Sequence, residues 1–150
     1  MNKSRRDLLF RVILFLRLGK IEKFEEIEVW KLARIICQSL ENLFNETSLG
    51  KNYSLRNQME RSSGSIMDNI AEGYGRGGNQ EFHNFLSYSK GSASELRSQL
   101  YRALDKGLIS SEQFNGLIEQ CILTENKIGA FMYYLRKSDL KGLKYKKPEE

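Results

Sequence analysis

From Val29 to Leu135 apolar residues return at steps of three and four, and that spacing restricts the chain to helices. A first run reads Val29/Trp30, Ala33, Ile36/Cys37, Leu40 and Leu43/Phe44, one stripe over about Ile27 to Phe44. The polar stretch Asn45 to Asn52 breaks it. A second run, Leu55, Met59, Ser62/Ser63, Ile66 and Ile70, is predicted to stop at Gly73, a residue suited to a left-handed helix end. The third, Phe82 to Leu104, predicts a helix from Gln80 to Lys106 that Gly107 terminates. The fourth starts at Ser110, whose spacing to Gln113 is that of a reciprocal capping box, and runs through Phe114, Leu117/Ile118, Cys121, Ile128 and Phe131 to Leu135. No segment alternates as a half-buried strand does. The lone proline, Pro148, lies beyond all four runs. Four amphipathic helices on short connections bury their stripes only against one another, so the expected fold is all-α, an antiparallel up-down-up-down four-helix bundle.

The expected organisation is a basic extension over 1–20, a bundle over 21–136 and a basic, flexible tail over 137–150. Charge follows the same division. The chain carries +5, and residues 1–20 alone supply +5 through Lys3, Arg5, Arg6, Arg11, Arg17 and Lys20 against Asp7. The opening segment has the basic start and apolar middle of a signal peptide, but Arg11 and Arg17 interrupt it and no small-residue cleavage site follows. It is too short and too charged to span a bilayer, and its arginines do not gather on one face as a membrane-surface helix requires. No membrane partner is expected. Cys37 and Cys121 fall within apolar stripes and read as reduced core thiols of a cytoplasmic protein.

Gly73, Gly75 and Gly78 match G-x-G-x-x-G by count. Phosphate binding by that motif needs a strand before it, and Ile66 to Ala71 is helical in pattern. A P-loop fails as well, because Asn79-Gln80 stand where Lys and Ser/Thr are required. The glycines therefore read as a helix–helix turn. Asn69 and Glu72, together with Gly73 and Gly75, are the expected structural hairpin, with Asn69 and Glu72 bonding the loop backbone or Arg76. One histidine, His83, and two distant cysteines make no zinc set, and Glu81-Phe82-His83 lacks the Glu-x-x-His spacing of a di-metal bundle. No enzyme, cofactor, metal or small-molecule substrate is expected. The candidate polyanion-binding cations of the body are Arg56, Arg61, Arg76, Lys90, Arg97, Arg102 and Lys106; ordinary solvated charge is the alternative. Two further stripes, Ser87, Gly91, Ser94, Ser98 and Gln58, Ser62, Ser65, Asn69, read either as solvated faces or as close helix contacts within the bundle or between subunits. Trp30 reads as a core or interface anchor.

Several blocks are more specific. Tyr53-x-Leu55-x-x-Gln58-Met59-x-Arg61 leads to Ser65-Ile66-x-x-Asn69-Ile70-Ala71-Glu72-Gly73-x-Gly75-Arg76, then Glu81-Phe82-x-x-Phe85-Leu86 and Gly91-Ser92-x-x-Glu95-Leu96-x-x-Gln99-Leu100. With Phe24-x-x-Ile27-x-Val29-Trp30-x-x-Ala33 before them, these resemble the bacterial four-helix bundle proteins encoded by intervening sequences in 23S ribosomal RNA genes. That family is related to the accessory variability protein of diversity-generating retroelements. The resemblance covers roughly Phe24 to Leu135. Glu60 and Met67 depart from it, where a basic residue and a proline are common. It implies a bundle that assembles as a ring-shaped homopentamer. For the retroelement relative it implies binding to nucleic acid and to a reverse transcriptase. The partner expected here is nucleic acid, RNA favoured, with a protein partner as the alternative. No catalytic residue carries over.

Overall fold

The computed structural model describes residues 21–137, and every regular element among them is helical. Four long helices follow one another: α1 (Glu28–Glu46), α2 (Tyr53–Arg76), α3 (Asn79–Asp105) and α4 (Ser111–Lys137). Short 3-10 turns, Phe24–Glu26 and Ser48–Lys51, precede α1 and α2. The expectations for residues 1–20 and for the tail beyond Lys137 lie outside the described residues.

Each end has a local cause. Thr47 closes α1 by donating its hydroxyl to the Leu43 carbonyl at 2.6 Å, and the same oxygen accepts from Leu49 N–H. Asn52 caps α2, its side-chain oxygen accepting from Leu55 N–H at 3.2 Å. The capping box of α4 forms as expected: Ser110 N–H donates to Gln113 Oε1 at 2.9 Å, and Gln113 N–H to Ser110 Oγ at 3.1 Å. α3 ends at Lys106 and Gly107, as its sequence suggests.

The α2–α3 connection corrects the sequence reading. α2 does not stop at Gly73; it runs three residues further and ends where Gly77 takes φ 88°, the left-handed conformation that a side chain disfavours. Asn69, Glu72, Gly73 and Gly75 are therefore all helical, and the turn itself is Gly77-Gly78. Gly73 has a different task. It is buried, and a Cβ there would lie 2.5 Å from Phe85 Cβ and 2.9 Å from Phe82 Cδ2, so its bare backbone is what lets α3 approach.

Cross-helix contacts establish the antiparallel order. Arg102 meets Gln58, Ser92 meets Ser65 and Phe85 meets Gly73, so α3 descends as α2 rises. Tyr101 packs on Phe114 and Phe82 on Phe131, which reverses α4 against α3. Lys127 reaches Glu28, closing α4 onto α1. The stripes converge on an apolar centre in which Ile36, Met59, Ile66, Ile70, Leu86, Leu96, Leu100 and Ile128 are fully buried. Each such side chain contributes about 1.5–3 kcal/mol through removal from water. Trp30 is buried too, with Phe24 edge-on at 5.1 Å.

Small hydroxyls bind α2 to α3. Ser89 is fully buried and donates to the Ile66 carbonyl at 2.7 Å, while the Ser65 and Ser92 hydroxyls lie 2.8 Å apart. The α2 stripe through Ser62 and Ser65 thus packs within the bundle. The α3 stripe is more open: Ser87, Gly91, Ser94 and Ser98 are exposed, with Ser94 alone of them reaching α4 through Glu125, and a Cβ on Gly91 would meet open space.

Candidate nucleic-acid interface

The seven candidate cations do not form one patch. Arg56 lies on the α1–α2 side, 3.3 Å from Glu60 and over the Phe44 ring at 5.2 Å. Arg97 lies between α3 and α4 and donates to Glu125 at 2.9 Å; Ser94 donates to the other oxygen of the same carboxylate at 3.1 Å. Glu125 is 11% exposed in its side chain, so this ion pair is partly withdrawn from water and its charge is spent inside the protein. Lys90 also faces α4, near Gly129.

Arg61, Arg76 and Arg102 belong instead to the α2–α3 side. Arg102 crosses from α3 to donate to Gln58 of α2 at 2.9 Å. Arg76 pairs with Glu72 at 2.8 Å and covers the Phe85 ring of α3 at 5.4 Å. The hydrogen bond and charge of Glu72 raise its already high pKa, so it stays cationic. Arg61 is exposed on α2 and reaches only the Asn57 carbonyl, at 3.4 Å. Lys106 stands at the far end of α3, and neither it nor Lys90 makes an ion pair among the described residues. The outer surface of α2 is a shallow groove over Gly64, flanked by Arg61, Glu60, Asp68 and Glu72. Glu72 bonds Arg76 as expected; Asn69 does not reach the turn, and donates to the carbonyl and hydroxyl of Ser65 at 2.7 and 2.9 Å.

Charge across residues 21–137 nearly cancels: fourteen Lys and Arg stand against fifteen Asp and Glu, a net of −1. The chain's excess of positive charge therefore comes from residues 1–20. Both cysteines are free thiols. Burial, and secondarily the charge of Glu125, pushes Cys121 up to about 12; burial also raises Cys37. No group of three or more His, Cys, Asp or Glu able to hold a metal occurs among the described residues, and no helix there is long and apolar enough to cross a membrane.

Sequence reasoning missed two features of this side. One is Tyr88, 59% exposed on α3 with its ring edge-on to Phe85 at 5.7 Å. The other is the seating of Phe85 against Gly73. Tyr88, Glu95 and Arg102 recur every seven residues and so share a face, a pattern visible in the sequence once α3 is accepted as one helix.

The 23S rRNA-intervening sequence protein family has a sequence model that matches residues 25–130. The chain belongs to this family. The match spans all four helices up to Ala130. Among solved structures, the chain is similar to a protein of unknown function from the S23 ribosomal protein family of Bacteroides thetaiotaomicron. The TM-score is 0.64 at 21% identity, over 69% of this chain and 97% of that one. Such a likeness establishes the shared fold. Comparison with curated proteins gives no match.

Proposed function

We propose that this 23S rRNA-intervening sequence protein is a non-enzymatic, oligomeric RNA-associated bundle. The observation that carries the reading is the charge arrangement. Arg61, Arg76 and Arg102 are spread along the α2–α3 side of a nearly neutral body, and residues 1–20 add +5 to the chain. Three cations hold a polyanion weakly. A ring-shaped homopentamer, the assembly that the family resemblance implies, would repeat them around a symmetric particle and raise the affinity by avidity. The exposed small-residue face of α3 leaves room for subunit contact. The similar protein's description as an S23 ribosomal protein family member agrees with an RNA context. A thiol raised to about 12 is a poor nucleophile at neutral pH, which argues against cysteine chemistry at Cys121. Free Cys37 and Cys121 suit a reducing, cytoplasmic location.

Titration of 23S rRNA fragments at two salt concentrations tests this. At about −0.7 in log affinity per log salt for each phosphate on a single strand, three contacts give a slope of roughly −2, or a roughly twentyfold loss for a fourfold rise in salt. Residues 1–20 would steepen it. Absence of binding, or binding indifferent to salt, removes the reading.

A second reading, a protein-interaction module, draws support from the carboxylates Asp68, Glu72 and Glu95 that interleave with the arginines, and from Ile35 and Leu123, exposed on α1 and α4. It expects a protein partner whose binding survives salt and the loss of Arg61, Arg97 and Arg102.

A further inference from the structure

We propose that Tyr88 is a stacking platform for an unpaired RNA base, framed by Phe85 and Arg76 on the α2–α3 side. This rests on the RNA reading above and names the form of RNA that this side takes. Arg61, Arg76 and Arg102 share the side with Asp68, Glu72 and Glu95, so phosphate attraction there is weak. A ligand that binds by charge alone gains little. One that also presents a π-face gains a contact that salt does not screen.

Tyr88 suits that role by exposure and by fixation. Its ring is 59% accessible, yet it stands on the long helix α3 and meets Phe85 edge-on at 5.7 Å with an interplanar angle of 81°. Phe85 is fixed in turn, under the Arg76 guanidinium at 5.4 Å and against the bare backbone of Gly73. The phenol thus has one edge set against Phe85, which reduces the further ordering that stacking on it requires. Arg76 covers Phe85, the ring next to the platform, and is half-exposed, so it can take an adjoining phosphate in exchange for part of its contact with Glu72. Arg102 lies two heptads further down the same face of α3, about 21 Å away along the axis, with Glu95 between. A base-paired duplex keeps its bases stacked inside and offers none to Tyr88, so the platform selects single strands.

The test uses the full chain and two probes, a short single-stranded oligouridine RNA and a blunt RNA duplex, read by fluorescence anisotropy over a salt series. Tyr88→Ala is expected to weaken oligouridine binding at least about fivefold with an unchanged salt slope, and to leave duplex binding and particle mass unchanged. Tyr88→Phe should bind as the unaltered protein does, and Tyr88→Trp should show indole quenching when oligouridine is added. Tyr53→Ala, at a tyrosine that is 69% exposed at the start of α2, should have no effect. Salt-dependent oligouridine binding that Tyr88→Ala leaves intact overturns the platform and spares the RNA reading. Equal losses for duplex and single strand, or a change of particle mass, also overturn it. Failure of the unaltered protein to bind either probe or rRNA fragments sinks both.

Discussion

Gly73→Ala adds one methyl group at the closest approach of α2 and α3. The new carbon would sit 2.5 Å from Phe85 Cβ, whereas carbons pack at about 3.5–4.0 Å. Phe85 Cβ is attached directly to the α3 backbone, so no rotamer change moves it away. The helices must separate by roughly 1 Å, or Phe85 and Phe82 must shift together. Overpacking of this kind costs about 1–3 kcal/mol, and a rigid obstacle places the cost near the upper end. Alanine returns about 1 kcal/mol through its better helix propensity. The net expectation is a loss of about 2 kcal/mol, near 8 °C in Tm for a domain of this size. Gly91→Ala is the matched control: it is also inside a helix, but its Cβ meets nothing within 4 Å, so only the propensity gain remains and stability should rise by about 0.5–1 kcal/mol. Urea denaturation followed by helical circular dichroism measures both. If Gly73→Ala proves as stable as the unaltered protein, or if the two substitutions move stability in the same direction, the close-contact account of Gly73 is wrong.

Four further substitutions probe other contacts. Ser110→Ala removes half of the α4 capping box and should cost about 1 kcal/mol in the same denaturation assay; no change would refute a stabilising role for the cap. Glu125→Gln leaves Arg97 partly buried without its counter-charge, and should cost about 1–2 kcal/mol after allowance for the 35% exposure of Arg97; Glu72→Gln, in a half-exposed pair, should leave the urea midpoint where it was. Cys121 should resist Ellman's reagent in the folded protein at pH 8 and react once urea exposes it. Its ionisation is pushed up from 9.0 to about 12 in the fold, so its contribution to stability is complete below pH 9 and declines as pH rises toward 12. Cys121→Ala should flatten that alkaline decline, and an unaltered pH profile would refute it.

Much of the architecture was legible because helical periodicity is local. Apolar steps of three and four marked α1 through α4 within a few residues, and Ser110 with Gln113 fixed where α4 begins. The end of α2 was misread because two roles of glycine look alike in sequence. Gly73 could stop a helix or admit a neighbour, and only the position of Phe85 distinguishes them. Gly77, one of several glycines in the same stretch, performs the stop. The candidate interface was less legible. Seven cations spaced along α2 and α3 gave no indication that Arg97 would face Glu125, twenty-eight residues away, or that Arg76 would lie over Phe85.

Side-chain pattern by itself decided that residues 21–137 make four long helices, about where they begin and which edge of each turns inward, since every one of those choices depends on residues within a turn or two. Tertiary structure alone decided which glycine is a contact, which arginines are neutralised and which tyrosines stay open. Those outcomes depend on the rotation and axial offset of one helix against the next. An apolar stripe specifies that it will be covered; the partner's shape, summed over the whole seam, sets what lies opposite each residue.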